Sequence, residues 1–387
     1  MNALRILVIV GTRPEAIKMA PLIQLLQRNQ HTEVFVCSTG QHREMLDQVF
    51  ELFDIKPDVD LDVMRPNQTP TQVAARVLMA LEPVLDDLRP DWMLVQGDTT
   101  TVMAAAIAAH YRRVRVGHVE AGLRTYDRDN PFPEEMNRVI ADHVSDLHFA
   151  PTASSRANLL REGISADKIF VTGNSVIDAL VQIAERPLPT NSLHWLKQHA
   201  LDWIIEPESP QNRQLVLVTA HRRENHGEPI RQICAALQQL VQARPDIHIV
   251  YPVHRNPNVW NPVHELLQDV PGITLVPPVD YAMLVNLMKC SKLILTDSGG
   301  IQEEAPSLGV PVLVLRETTE RPEATDAGVA RIVGTDTEQI VAAVNQLLND
   351  VQVYTAMSQA MNPYGDGRTG QRIIDILLTG RCDQFIA

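Results

Sequence analysis

Short apolar, β-branched runs recur along this chain with helix-length segments between them, and after about residue 190 the pattern starts again. That alternation marks parallel βαβ units, and few folds accept it. Strands are predicted at 5–10, 33–37, 92–96, 114–119, 147–150 and 169–172, with a helix after the first running to about residue 26. A second series is predicted at 215–219, 247–250, 273–276, 293–296 and 312–315. These runs are almost continuously apolar, as when helices cover both faces of a parallel sheet. Between the two series, Arg186-Pro187-Leu188-Pro189 and a polar stretch at 206–213 break the pattern and mark a domain junction. At 387 residues the chain also exceeds the usual size of one domain. The expected fold is therefore α/β, with two Rossmann-like, doubly wound domains and a deep cleft between them. The N-terminal domain spans 1–184 and the C-terminal domain 185–367, while 368–387 carries a last helix, at about 370–378, packing back on the first domain. Ligand loops in such sheets follow the carboxyl ends of the strands, so functional side chains are sought there.

Composition narrows the function classes. A net charge of −13 argues against a nucleic-acid partner, whose phosphates demand a basic face. A nucleotide ligand stays open, because a few local cations and helix N-termini suffice to hold one. The four cysteines, Cys37, Cys234, Cys290 and Cys382, are scattered, which speaks against a zinc site or a disulfide framework. The apolar run at 6–10 is too short for a signal peptide, and no stretch approaches the roughly 20 apolar residues of a membrane span. A cytoplasmic protein with no membrane partner is expected.

Strand ends in the first half carry the chemistry. Gly11-Thr12-Arg13-Pro14-Glu15-Ala16-Ile17-Lys18 follows the first strand. Gly11 permits a tight turn and Pro14 suits a helix start, so Arg13 and Lys18 lie around a helix N-terminus fit for phosphate, or merely solvate it. The motif is neither G-x-G-x-x-G nor G-x-x-x-x-G-K-[ST], so neither a nicotinamide fingerprint nor a Walker P-loop is supported. Asp98, in Gly97-Asp98-Thr99-Thr100-Thr101, either caps the next helix or faces the cleft as a base or charge partner. Glu120 ends the next strand in His118-Val119-Glu120-Ala121-Gly122-Leu123-Arg124-Thr125. Glu134, in Pro133-Glu134-Glu135-Met136-Asn137-Arg138, stands i,i+4 from Arg138, which alone reads as a surface ion pair. Convergence of Asp98, Glu120 and Glu134 on one sheet edge would suit proton transfer.

The second half repeats the arrangement. His221, in Thr219-Ala220-His221-Arg222-Arg223-Glu224-Asn225, ends a strand where proton transfer near neutral pH would be useful. His254 lies in a basic strand-end loop with Arg255. Ser298-Gly299-Gly300 enters a helix with exposed backbone N–H groups, Glu304 one turn inside suits ribose hydroxyls, and Arg316 and Arg321 follow as cations for a diphosphate.

Read together, G-T-R-P-E-A-I-K, H-V-E-A-G-L-R-T, P-E-E-M-N-R, H-R-R-E-N, D-S-G-G-I-Q-E-E-A and T-E-R-P-E resemble the non-hydrolysing UDP-N-acetylglucosamine 2-epimerase family, in order from Gly11 to about Gly367. The resemblance implies a GT-B-like fold, no cofactor and no metal. It implies reversible C2 inversion of UDP-N-acetylglucosamine to UDP-N-acetylmannosamine, with anti elimination of UDP to a 2-acetamidoglucal and re-addition. By that likeness Asp98, Glu120, Glu134 and His221 form the acid/base and intermediate-stabilising set. Arg13, Lys18, Arg138 and His254 contact sugar or diphosphate, and Ser298, Gly299, Gly300, Glu304 and Arg321 hold UDP. Leu284 stands where relatives often place an aromatic ring over the uracil. A second, activating substrate site would draw on Gln41, His42 and Glu135, although Asn67 replaces an arginine of that pattern. A homodimer and a role in cell-surface polysaccharide synthesis are also implied. Three other activities share parts of the motif set: a hydrolysing 2-epimerase, a 2-epimerase of a UDP-diacetamido uronic acid, and a GT-B glycosyltransferase.

Overall fold

Two parallel sheets organise the computed structural model, which describes residues 3–40, 43–65, 68–205 and 213–386, the side chains at 43–45 excepted. The first sheet contains β1 (Leu4–Val10), β2 (Thr32–Ser38), β3 (Val59–Asp60), β4 (Trp92–Gln96), β5 (Arg115–Val119), β6 (Leu147–Ala150) and β7 (Ile169–Val171). Their order is β3-β2-β1-β4-β5-β6-β7. The second contains β8 (Gln214–Thr219), β9 (Ile247–Pro252), β10 (Ile273–Val276), β11 (Ser291–Thr296), β12 (Val312–Val314) and β13 (Ala330–Ile332), in the order β10-β9-β8-β11-β12-β13. The apolar runs make these strands because both faces are covered: Ile6 to Val10 and Trp92 to Gln96 are buried without interruption. The expected α/β, doubly wound class is the one observed.

Each sheet has a switch point, between β1 and β4 in the first and between β8 and β11 in the second. Chain connections leave the two central strands in opposite directions there, which opens a crevice at their carboxyl ends. Register decides what meets there. Val95 pairs with His118 and Gln96 with Val119, so the loops entering Asp98 and Glu120 start side by side.

The chain divides into two compact units, Met1–Gln182 with Tyr364–Ala387, and Ile183–Pro363. Each has its own core. Leu7, Ile9, Met93 and Val95 pack with Val77 and Leu81 in the first, and Val216, Val218, Ile249, Tyr251, Leu293 and Leu295 pack together in the second. Each such side chain contributes about 1.5–3 kcal/mol on burial. The return to the first unit comes at Tyr364 rather than 368, because Tyr364 is buried and its carbonyl accepts from Asn174 N at 2.6 Å. The closing helix, Thr369–Thr379, then begins on the Asp178 carboxylate, which accepts from Gly370 N at 2.7 Å and Thr369 N at 3.2 Å. A Cβ on Gly370 would lie 2.9 Å from Leu25 Cδ1, so the glycine lets this helix close on the helix Arg13–Arg28. Among the described residues no helix is long and apolar enough to cross a membrane.

Candidate active site

The loop after β1 is built by its own sequence. Thr12 caps the helix Arg13–Arg28, accepting from Glu15 N, while Glu15 Oε2 accepts from Gly11 N at 2.6 Å and Thr12 N at 3.1 Å. This reciprocal capping box satisfies amides that the helix leaves open. Glu15 is buried, and that burial raises its carboxyl to about 7. Arg13 sits half-buried at the first helical position, engaging no hydrogen bond or ion pair among the described residues.

Lys18, one turn further on, reaches the carboxylate of Glu120. Its Nζ lies 2.7 Å from both Oε1 and Oε2. Asn174, after β7, donates to Glu120 Oε1 at 3.0 Å, and Gln96 at the end of β4 donates to Oε2. Glu120 itself adopts a left-handed backbone, φ +65°, which is uncommon for a side chain of its size. Strain of this kind persists where surrounding contacts impose it, and it gathers at functional sites. The buried carboxylate is thus aimed by donors from three other segments.

Asp98 does not cap the helix that follows it. Thr99 does, accepting from Val102 N at 3.3 Å, and Asp98 pairs with Arg138 instead. Asn137 donates to the Asp98 carbonyl at 3.0 Å, tying this loop to the helix Glu134–Val144. Arg138 also lies 3.2 Å from Glu135, not from Glu134. Glu135 is buried and accepts from Thr125 N at 3.1 Å and Tyr126 N at 3.0 Å. Glu134 occupies the first turn, half-buried, with no hydrogen bond or ion pair among the described residues. Asp98 and Glu120 therefore share the switch point, and Glu134 stands on the helix that grips it.

Beneath this surface lies a buried charged network. His118 Nδ1 is 2.6 Å from Asp142 Oδ1, and Nε2 is 2.7 Å from the Gly97 carbonyl. Arg124 Nη2 donates to Asp142 Oδ2 at 2.7 Å, and its Nε and Nη2 clasp Glu162 in a bidentate pair, both at 2.7 Å. Gly122 N also donates to Asp142, at 3.2 Å. Burial alone would raise Asp142, but His118 and Arg124 reverse this and draw it down to about 2.

In the second unit, Asp297 is the organising group. It is buried after β11, and its Oδ2 accepts from His221 N at 2.7 Å, Arg222 N at 2.8 Å and Asn225 Nδ2 at 2.9 Å. Its Oδ1 lies 3.5 Å from His221 Nδ1. His221 stacks on His254, 5.4 Å between centroids at 14°. Burial lowers the pKa of His221, and neighbouring His254 and Arg222 push the same way against Asp297. Ser298 opens the short helix Gly299–Glu304, its amide donating to Thr296 Oγ1 at 2.9 Å. A Cβ on Gly299 would meet Arg222 Nη2 at 3.7 Å and Arg321 Cζ at 3.9 Å, so two guanidinium groups flank the glycine pair. Arg321 donates to Glu303, whereas Arg316 is buried and donates to Glu224. Glu304 accepts from the Tyr281 hydroxyl at 2.6 Å, and Leu284 is half-buried on the same helix as Tyr281.

Gln41 and His42 lie outside the described residues, as does Asn67. Sequence reasoning passed over Gln96, Asn174, Asp142, Tyr281 and Asp297. Asp297 alone had a local signal, since it heads the Ser-Gly-Gly turn. Among the described residues no group of three or more His, Cys, Asp or Glu could hold a metal ion.

Comparison with known proteins places this arrangement. The family model described as UDP-N-acetylglucosamine 2-epimerase matches residues 24–378. A UDP-N-acetylglucosamine 2-epimerase of Salmonella typhimurium is 52% identical over 378 residues, spanning 98% of this chain and 99% of that one. The crystal structure of the Neisseria meningitidis UDP-GlcNAc 2-epimerase bound to UDP-GlcNAc has a TM-score of 0.83 and 48% identity, covering 97% of this chain and all (100%) of that one. S. aureus MnaA, solved as a co-structure with UDP, has a TM-score of 0.86 and 40% identity over 99% of this chain and 100% of its own. The fold is GT-B-like. With the family model and full-length relatives in agreement, the chain belongs to the UDP-N-acetylglucosamine 2-epimerase family.

Proposed function

We propose that this protein interconverts UDP-N-acetylglucosamine and UDP-N-acetylmannosamine without hydrolysis and without a cofactor. The observation that carries the reading is Glu120, held by Lys18, Gln96 and Asn174 beside Asp98 at the switch point of the first unit. Relatives at about this identity carry the epimerase name, and two of the solved proteins hold UDP-GlcNAc or UDP.

The C2 proton of the sugar is not acidic, so its removal must be coupled to loss of UDP. A carboxylate of the first unit takes that proton, the C2–H electron pair forms the C1–C2 double bond, and the C1–O bond breaks with its pair passing to UDP. Arg13, Lys18 and Arg138 balance charge on the departing diphosphate. The second unit holds UDP through Ser298, Gly299, Gly300, Glu304 and Arg321, with Leu284 against the base and His254 beside His221. His221, oriented by Asp297, is the acid/base group of the second unit, and Asp98, Glu120 and Glu134 are those of the first. UDP then adds back to the 2-acetamidoglucal with the proton delivered to the opposite face of C2. Gln41, His42 and Glu135 are proposed for a second substrate site, Glu135 acting through the Thr125–Tyr126 loop it holds. A cytoplasmic homodimer supplying surface-polysaccharide synthesis completes the reading.

Incubation with UDP-N-acetylglucosamine in D2O tests it. The expected result is an equilibrium of two UDP-sugars, each carrying deuterium at C2, with no steady accumulation of UDP. Glu120→Gln and Glu134→Gln should each lower turnover by roughly a hundredfold or more, the usual range for a lost acid or base, while UDP affinity stays near that of the wild type. Steady release of UDP with free N-acetylmannosamine, transfer to an acceptor, or full turnover in either variant would sink the assignment.

A further inference from the structure

The network under the switch point fixes a protonation state by geometry. His118 is fully buried, and both of its ring nitrogens face oxygens at hydrogen-bond distance. The Gly97 carbonyl, 2.7 Å from Nε2, only accepts. Asp142 Oδ1, 2.6 Å from Nδ1, belongs to a carboxylate that already accepts from Arg124 and from Gly122 N. A neutral imidazole offers one N–H, and would leave one of these contacts as two facing lone pairs. We propose that His118 is held as a doubly protonated imidazolium and acts as a positioning residue, its Nε2–H fixing the Gly97–Asp98 peptide and its strand setting Glu120.

Its surroundings fit that role. Asp142 faces it from the helix Glu134–Val144, Arg124 and Glu162 neutralise one another behind Asp142, and His148 lies beyond with Nε2 2.7 Å from the Asp142 carbonyl. Burial presses His118 toward the neutral form, yet Asp142 and the Gly97 carbonyl outweigh it and the net shift is upward; burial lowers His148. Gly97 has φ +83°, and a Cβ there would lie 3.9 Å from Glu120 Oε2, so the peptide His118 holds lies against both carboxylates.

The role rests on reading Asp98 and Glu120 as catalytic, whereas the protonation state does not, so the test has two arms. Gly117-His118 is the one Gly-His pair in the sequence, which allows assignment in the full chain by 13C-glycine and 13C,15N-histidine labelling, the histidine carbons linking the backbone amide to the ring nitrogens. At pH 7.5, where an ordinary histidine is about 90% neutral, both His118 ring nitrogens should show imidazolium shifts; a neutral tautomer there overturns the proposal. In the second arm, His118→Gln donates to one side without the charge. Its kcat should fall at least tenfold with KM within threefold and UDP affinity unchanged, and a smaller fall in kcat overturns the positioning role. His118→Asn serves as the second variant where the glutamine does not fold. A wild-type enzyme that does not epimerise would instead remove the functional reading, leaving the nitrogen shifts to stand by themselves.

Discussion

Glu15 is a carboxyl held where water is scarce, and its effect on stability has a definite sign. Its folded pKa of about 7 exceeds the ordinary 4.5, so the folded state binds its proton more tightly. That contribution is complete below the ordinary value and lost as pH rises through about 7, a change of roughly 3 kcal/mol. Glu15→Gln keeps an oxygen for the Gly11 and Thr12 amides and removes the titration. Urea unfolding at pH 5 and pH 8 should therefore show a smaller loss of stability across that window in the variant; an equal loss would refute this account. Other groups were legible in the sequence to different depths. Asp98 and Glu120 could be found because each ends an apolar run. Gln96, Asn174 and Asp142 could not, since their meaning depends on partners 24, 54 and 24 residues away, which only the folded sheet and the helix Glu134–Val144 bring near. Tyr281 hid for the same reason, looking like one more apolar residue of its helix until Glu304 arrived beside it.

Elements were easiest to read where polar or turn residues bounded a short apolar run on both sides. Trp92–Gln96, Leu147–Ala150 and Ile273–Val276 have the boundaries expected of them. Val59–Asp60 and Ala330–Ile332 escaped, because a two- or three-residue strand carries too little pattern to stand out from a loop. Asp98 shows the converse error of local reading: a helix-cap position was visible, but Thr99 fills it and frees the carboxylate for Arg138. The helix Thr369–Thr379 depends on one distant group for its start. Asp178→Ala would leave the Thr369 and Gly370 amides unpaired, costing about 1.5–3 kcal/mol. The melting temperature should drop and cleavage by protease at 364–369 should quicken, with Asp178→Asn falling between variant and wild type. Unchanged proteolysis in the alanine variant would mean that apolar packing against Leu25 alone holds the helix.

At the scale of the molecule, the restart of the strand pattern announced two units, and each has a separate core. Ligand binding should therefore stabilise them unequally. UDP at about a hundred times its Kd stabilises whatever binds it by roughly 2.7 kcal/mol. Hydrogen exchange is expected to slow in β8, β9 and β11 of the second unit, with little change in β1 and β4. Equal slowing in both sheets would contradict a nucleotide held mainly by the second unit. The return of the chain at Tyr364 has a consequence for synthesis on the ribosome. The second unit is an insertion within the first, and all of its sequence emerges while the first still lacks the segment that Asp178 and Asn174 await. Translation proceeds at about 5–20 residues per second, so the unit begun first stays open for many seconds and is the later one to be finished. A chaperone acting on the nascent chain would meet the exposed side of the helix Arg13–Arg28 during that interval.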